Sequence, residues 1–301
     1  IYIMELNFKR INSENMHEVW NYLLMEDGNT CDFSYGGILM WVDLYKYDYC
    51  IYEDTLFIKG VLEKDSNDSV FSLPIGKLEL SQSIELLKKY CLGNNIPLRF
   101  SCIPEHNLQE FELLKPFKIE EQIALGDYLY DAHDLATLKG KRFSKKRNHV
   151  NQFINSYNWE YERVTPENFS SVKDFVINHC SKFIDGSSAK IECGLSLSFL
   201  DNLCKENPLM GGLLKVDGRV VAFTIGDIKH DTLYIHVEKA SREIKGSYET
   251  INKMFAEDIV SQYSDIKYIN REDDAGDEGL RNAKMSYNPI SILKKYDIIF
   301  K

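Results

Sequence analysis

The segment of residues 211–240, GGLLKVDGRVVAFTIGDIKHDTLYIHVEKA, restricts the possible folds of this chain more than any other part. It contains three apolar runs, separated by Asp217-Gly218 and by His230-Asp231. An Asp-Gly pair between two apolar runs is a strong signal for a short β-hairpin turn. The sequence therefore predicts three consecutive strands joined by tight turns.

The spacing of apolar residues and the positions of turn residues predict further helices and strands on both sides of these three strands in the sequence. In the second half they are a strand at 127–131, a basic helix, a strand at 159–164, a helix from Pro166, a helix at 247–259, a strand at 266–270, a helix at 279–286 and a last strand near 291–299.

The first half has a looser version of the same order. Its predicted elements are a helix at 12–25, a hairpin within 37–60 that turns at Asp54, a strand at 71–76, a helix at 80–92 and a strand at 97–103. A chain of 301 residues is long enough for two units of about 150 residues each. We expect one unit at 1–125 and a second at 126–301.

The element order of the second half resembles that of the acetyltransferase superfamily known as GNAT. This resemblance implies an α+β fold made of tandem GNAT-like (acyl-CoA N-acyltransferase) units. Each unit would then have a mixed sheet flanked by helices.

Positive charge is concentrated in one short segment. The formal net charge is −10, yet residues 139–147, KGKRFSKKR, hold six basic and no acidic side chains. A ligand that carries phosphate would be attracted to this segment, whereas a general DNA-coating role does not suit so acidic a chain. The alternative is a solvated helix face. The cations that we expect to face phosphate are Lys141, Arg142, Lys145, Lys146 and Arg147.

The seven cysteines do not form a metal or disulfide pattern. They contain no C-x-x-C pair, and their number is odd. We therefore expect reduced thiols, no metal site and a cytoplasmic location.

No apolar run is long enough for a transmembrane helix, and the N-terminal residues 1–12 are too polar for a signal peptide. The motifs G-x-S-x-G, H-E-x-x-H, the P-loop and the Rossmann fingerprint are missing too. Hydrolases, zinc peptidases, nucleotide-driven motors and dehydrogenases thus lack their simplest sequence support.

Three segments resemble the C-terminal domain of phosphatidylglycerol lysyltransferases and, more distantly, Fem-type aminoacyltransferases. They are YLYDAHDLATLKGKRFSKKRNHVNQF (128–153), HVEKASREIKGSYETINKMFAEDI (236–259) and INREDDAGDEGLRNAKMSYNPISILKKY (269–296). The resemblance implies an acyltransferase that has no tightly bound cofactor.

The segment REIKGSY (242–248) bears on the donor. In acetyltransferases a glycine turn at this point exposes backbone N–H groups that hold a diphosphate. Here Gly246 stands alone, and Ser247 and Tyr248 replace a second small residue. This difference favours an aminoacyl-tRNA donor over acyl-CoA, with Lys239, Gly246 and Ser247 as donor-binding residues. Gly246 could also be no more than a turn residue before the helix.

His236 and Glu238 are the predicted catalytic residues. Both lie near the end of the third strand, where strict alternation would put them on one face. Acyl transfer to an amine needs a base near neutral pH, and a histidine or a glutamate can have a suitable pKa.

Polar residues follow the next strand, where a GNAT-like sheet would form an acceptor pocket. Carboxylates there could bind an amino group, and an arginine could bind a carboxylate or a phosphate. Two further residues, Lys284 and Tyr287, match lysyltransferase positions by resemblance alone. The predicted substrate-binding residues are Asn270, Arg271, Asp273, Asp277, Lys284 and Tyr287.

Three functions remain open from the sequence. The first is transfer of an aminoacyl group from aminoacyl-tRNA to an amine or hydroxyl group of a small-molecule, peptide or lipid acceptor. The second is acyl-CoA-dependent N-acylation. The third is binding of an anionic ligand by a tandem fold without catalysis.

Overall fold

The computed structural model describes residues 6–62, 65–182, 184 and 188–301. The chain divides into two compact units. The first contains the residues up to Asp127 together with Asp273–Gly276 and Leu293–Lys301, and the second contains Tyr128–Glu272 and Asp277–Ile292. The first change of unit lies close to the predicted boundary, but the chain end returns to the first unit.

The first unit is built on one mixed sheet. Its elements are β1 (Lys9–Arg10), α1 (Met16–Leu23), α2 (Tyr35–Leu39), β2 (Asp48–Tyr52), β3 (Thr55–Leu62), β4 (Asp65–Phe71), β5 (Ile75–Gly76), α3 (Leu80–Asn94), β6 (Arg99–Pro104), α4 (Leu108–Leu113), β7 (Lys118–Glu121) and β15 (Lys295–Ile299). The strand order is β1-β2-β3-β4-β6-β15-β7, with β5 paired to β3, and β4 runs parallel to β6.

The predicted hairpin around Asp54 is present, since β2 pairs with β3 across it. Residues 37–39, at the start of the segment predicted to contain the hairpin, belong to α2 instead. Ser34 caps this helix by accepting a hydrogen bond from the Gly37 N–H.

A buried lysine joins the chain end to the first unit. The side chain of Lys295 is 1% exposed, and its ammonium lies 2.7 Å from a carboxylate oxygen of Asp32 and 2.7 Å from one of Asp127. It also lies 3.4 Å from the Cys31 sulfur. Cys31, Asp32 and Asp127 are close enough together to hold a metal ion, but the Lys295 ammonium already contacts all three. Burial alone would lower the pKa of Lys295, yet the two carboxylates raise it well above its usual value.

The second unit contains the segment with the three predicted strands. Its elements are β8 (Asp127–Asp131), α5 (Ala132–Thr137), α6 (Ser144–Ser156), β9 (Trp159–Arg163), α7 (Phe169–Cys180), α8 (Ser188–Leu200), β10 (Met210–Val216), β11 (Arg219–Lys229), β12 (Thr232–Ala240), α9 (Ser247–Gln262), β13 (Tyr268–Asn270), α10 (Glu278–Met285) and β14 (Ser291–Leu293). The strand order is β14-β8-β13-β12-β11-β10-β9, in which β12 and β13 are parallel.

The predicted turns join β10, β11 and β12. Asp217 and Gly218 both have positive φ angles, 49° and 76°, as a tight hairpin turn with a right-handed twist requires.

Helices cover both faces of the second sheet. Consecutive residues of β11 demonstrate this, because Ala222 packs with Ile251 of α9, whereas the Phe223 ring meets Phe175 of α7 edge-on. The sheet is therefore mixed and flanked by helices on two sides, as predicted. No helix in the described part of the chain is both long and apolar enough to cross a membrane.

The expectation of reduced thiols is wrong for one pair of cysteines. Cys180 at the end of α7 and Cys193 in α8 form a disulfide, with their Cα atoms 5.6 Å apart. The two helices pack side by side, so residues that are 13 apart in sequence meet in space. Among the described residues, Cys31, Cys50, Cys91, Cys102 and Cys204 take part in no disulfide.

Replacing Lys295 with alanine is expected to destabilise the protein by about 3–5 kcal/mol, because it leaves two carboxylates near one another without their buried cation. Lys294→Ala is the matched control, since that neighbouring side chain is about half exposed. Thermal unfolding of both variants provides the measurement. Equal midpoints for the two variants would contradict the stabilising role of the Lys295 ion pairs.

Candidate functional site

The two parallel strands of the second unit separate after a short pairing. β12 pairs with β13 at Thr232–Tyr268, Leu233–Ile269 and Tyr234–Asn270. After Asn270 the chain stays with β8, since the Arg271 N–H donates to the Tyr128 carbonyl at 3.1 Å. Residues 235–240 of β12 therefore have no described strand on that edge, and polar side chains gather there.

A β-bulge lies within this part of β12. Ile225 of β11 pairs with Val237, and Gly226 pairs with Ile235, so His236 is an extra residue on β12. A bulge of this kind interrupts the alternation of side chains between the two faces. The expectation that His236 and Glu238 share a face is consequently wrong.

His236 lies on the face that α8 covers. Its ring meets Phe199 edge-on, and its two nitrogens contact Asp227 Oδ1 at 2.5 Å and Glu272 Oε1 at 2.8 Å. Burial alone would lower the pKa of His236, but the two carboxylates outweigh it and raise this pKa to about 10. The ring is thus protonated at neutral pH and has no free lone pair, so its environment does not suit a general base.

Glu238 lies on the opposite face, next to α9. Its Oε1 accepts a hydrogen bond from Arg271 Nη2 at 2.8 Å, and its Oε2 accepts one from Asn252 Nδ2 at 3.1 Å. The Glu238 and Arg271 side chains are only 11% and 13% exposed. The result is a nearly buried carboxylate held between a guanidinium and an amide.

Two polar atoms beside this carboxylate have no hydrogen-bond partner among the described residues. They are Arg271 Nη1, a donor, and Asn252 Oδ1, an acceptor. Native proteins rarely leave such buried atoms unpaired, because each one costs about 1–3 kcal/mol. The pair is therefore suited to a ligand that offers an acceptor to one atom and a donor to the other.

An aromatic ring connects Arg271 to a second group of charges. The Tyr287 ring lies 4.6 Å from the Arg271 guanidinium carbon and 4.0 Å from Lys146 Nζ, distances at which a cation attracts a ring. Lys146 lies 3.7 Å from Glu249 of α9, and His149 Nδ1 lies 3.0 Å from the same Glu249 oxygen. Burial lowers the pKa of Lys146 and raises that of Tyr287.

Gly246 stands directly before α9, with a φ angle of +83°. A Cβ atom at this position would lie 2.5 Å from the His149 carbonyl oxygen, so a glycine permits α9 to start against α6. The buried Ser247 hydroxyl donates to the Ser241 carbonyl, and Lys239 forms an ion pair with Glu192 on the α8 face. These contacts give Gly246, Ser247 and Lys239 structural partners within the chain.

The structure divides the basic segment into three groups. Arg147 donates to the Leu138 and Gly140 carbonyls, and Arg142 pairs with Asp134. Lys146 lies between the Tyr287 ring and the Glu249 carboxylate. The exposed ammonium groups of Lys141 and Lys145 form no ion pair with any described residue.

The predicted substrate-binding residues fall into two groups. Arg271, Tyr287 and Lys284 come together, and Lys284 Nζ donates to the Arg271 carbonyl at 2.6 Å. The others hold the backbone of the loop between β13 and α10 through side-chain oxygens. Asn270 accepts from the Glu272 N–H, Asp273 from the Ala275 N–H and Asp277 from the Leu280 N–H.

Sequence reasoning missed Asn252, Glu249 and Tyr130. Asn252 and Glu249 are three residues apart on α9, which puts them on one helix face. Asn252 is a polar residue between the apolar residues Ile251 and Phe255, and this position could have marked it as a buried polar side chain. Tyr130 gave no such signal, and its hydroxyl donates to the Lys284 carbonyl at 2.9 Å.

Residues 27–299 match the family described as phosphatidylglycerol lysyltransferase, C-terminal. The chain belongs to this family. An uncharacterized protein from Mycoplasmoides gallisepticum is 24% identical over 172 residues, which make up 56% of this chain and 54% of that protein. The chain thus spans about half the length of this curated relative.

Several solved structures share the fold. A conserved protein of unknown function from Bacteroides thetaiotaomicron is 32% identical, with a TM-score of 0.87 over 98% of this chain and 100% of that one. L-PGS from Bacillus licheniformis is 14% identical, with a TM-score of 0.66 over 100% and 94%. FemX is 9% identical, with a TM-score of 0.65 over 98% of each chain. The tandem GNAT-like fold and the resemblance to Fem-type proteins are confirmed.

The charged state of His236 predicts a specific pH dependence. Its pKa of about 10 in the folded protein exceeds the ordinary value of 6.5, so the folded state binds one more proton than the unfolded state between these pH values. Its contribution to stability is complete below pH 6.5 and is lost as the pH rises through 10. We expect the His236 ring signal in NMR spectra to remain that of the protonated form at pH 8.

His236→Gln removes this titration, so the fall of the thermal midpoint from neutral pH toward pH 10 should become smaller. His133→Gln, on the exposed side of α5, is the control and should retain the wild-type fall. A ring that titrates near pH 6.5 would contradict the ion pairs with Asp227 and Glu272.

Proposed function

We propose that this protein is an aminoacyltransferase that moves an aminoacyl group from a charged tRNA to an amine or hydroxyl acceptor. One observation carries the proposal. The nearly buried Glu238 carboxylate is held by Arg271 and Asn252, and each of these two partners keeps one buried polar atom without a hydrogen-bond partner among the described residues.

The two unpaired atoms match the polar groups of an aminoacyl ester. Its carbonyl oxygen accepts hydrogen bonds and can take one from Arg271 Nη1, whereas its α-ammonium donates them and can give one to Asn252 Oδ1. The Glu238 carboxylate, which both side chains contact, adds a negative charge beside the ammonium. An acetyl group has no such ammonium.

The reaction needs a base and a stabilised oxyanion. The acceptor nitrogen or oxygen attacks the ester carbonyl and gives its proton to Glu238, and Arg271 stabilises the negative charge that develops on the carbonyl oxygen. When the tetrahedral intermediate collapses, the bond to the tRNA 3′-oxygen breaks and that oxygen takes the proton from Glu238. Within residues 237–240, the backbone N–H groups that point away from β11 lie on an edge of β12 where no described strand pairs, and they are further donors to the oxyanion.

The start of α9 supports an aminoacyl-tRNA donor over acyl-CoA. Gly246 is the single glycine of this turn, and the Ser247 N–H is bonded to the Ile244 carbonyl at 3.2 Å. Diphosphate loops of the acyl-CoA type expose several backbone N–H groups at this place. The acceptors to be tested are small molecules, peptides and lipids.

Glu238→Gln is expected to lower turnover by about 10²–10⁴-fold, because the amide cannot accept the proton of the acceptor. The assay follows radiolabel from a mixture of charged tRNAs into small amines, peptides or lipids. Glu243→Gln, an exposed change in the loop after β12, is the control and should retain full turnover. Equal turnover of both variants, or label transferred from acetyl-CoA instead of tRNA, would contradict the proposal.

The exposed lysines of the basic segment should contact tRNA phosphates, and such contacts make the binding constant depend on salt concentration. Lys141→Glu combined with Lys145→Glu should weaken the binding of charged tRNA and lower the salt slope of the binding constant by about two, one for each lost phosphate contact. Lys205→Glu, another exposed lysine of the second unit, should leave the slope unchanged. If the double variant keeps the wild-type slope, the segment is a solvated helix face.

A further inference from the structure

The first turn of α9 contains an acidic residue in an unusual position. α9 has 16 residues, and backbone N–H groups at the start of a helix favour an anion. Glu249 is the third residue, and its carboxylate accepts a hydrogen bond from its own backbone N–H. The side chain is 16% exposed. A carboxylate of the protein thus lies where other folds bind phosphate.

Two side chains from α6, a lysine and a histidine, lie close to the same carboxylate. Lys146 Nζ lies 3.7 Å and His149 Nδ1 lies 3.0 Å from Glu249 Oε1. Burial alone would raise the pKa of Glu249, but the hydrogen bonds from His149 and the backbone outweigh it and lower this pKa. Glu249 is therefore ionised, and it already uses the contacts that an external diphosphate would need.

Glu249 also borders the group around Glu238. Lys146 contacts Glu249 on one side and the Tyr287 ring on the other. This ring lies against Arg271, whose Nη1 has no hydrogen-bond partner in the described part of the chain. A donor that enters the site would thus meet the negative charge of Glu249 next to the start of α9.

We infer that Glu249 is a specificity-determining residue that excludes donors with a diphosphate group, acyl-CoA among them, by acting as an internal anion at the start of α9. This inference deepens the proposed function, because it assigns the choice of donor to one side chain. A diphosphate in contact with Lys146 and His149 would lie close to the Glu249 carboxylate, and like charges at such distances repel each other strongly where water is scarce.

The test measures the binding of pyrophosphate and of acetyl-CoA by calorimetry. Glu249→Ala should bind both at least about tenfold more tightly than the wild-type protein, since it removes the repelling charge and frees Lys146 and His149. Adding Lys146→Ala to this variant should reverse most of the gain. Glu249→Gln removes the charge with little change of shape, and it replaces Glu249→Ala if that variant does not fold.

Glu257→Ala is the matched control. Glu257 lies on the same helix and has an ion pair with Lys253, so its removal changes the net charge equally. Tighter binding by Glu257→Ala to the same extent would overturn the inference, and so would unchanged binding by both Glu249 variants. The transfer assay with charged tRNA is a separate experiment, and its failure would count against the proposed function. Tighter binding of pyrophosphate and acetyl-CoA by Glu249→Ala would still support the role of Glu249.

Discussion

The short parallel pairing between β12 and β13 is the constraint on which the candidate site depends. The pairing ends at Tyr234 and Asn270, and the chain after Asn270 follows β8. The remaining edge of β12 thus borders side chains from α6, α9 and the loop before α10. A longer pairing would have filled this edge with backbone hydrogen bonds and left no place for Arg271 beside Glu238.

The bulge at His236 separates two kinds of buried charge. On the α8 face, a protonated histidine joins two carboxylates from β11 and from the loop after β13, and all its hydrogen-bonding nitrogens are used. On the α9 face, Glu238 is held by Arg271 and Asn252, which each have one polar atom with no partner in the described residues. Since both nitrogens of His236 have carboxylate partners within the protein, and removing one partner of a buried ion pair is strongly destabilising, the group around His236 is suited to holding β11, β12 and the loop after β13 together. The group around Glu238, in which Arg271 and Asn252 each offer a polar atom, is suited to binding a ligand.

Element order was largely predictable from the sequence, because turn residues and apolar periodicity act locally. The hairpin at Asp217-Gly218, the helix from Ser247 and the strand before Arg271 all follow from such local signals. The return of β15 to the first unit was not predictable in this way. In the structure β15 pairs with β6 and β7, and the buried Lys295 meets the carboxylates of Asp32 and Asp127, which are far away along the chain.

The sequence by itself determined the family, the fold class and the two segments that contain Glu238 and Arg271, since motifs and periodicity are properties of neighbouring residues. Only the tertiary structure decided which side chains share a face. One extra residue in β12 turned His236 away from Glu238, and helix packing placed Asn252 and Glu249 of α9 beside Glu238 and Lys146. The same packing joined Cys180 to Cys193. Such contacts depend on the register and packing of distant segments, and no local pattern in the chain encodes them.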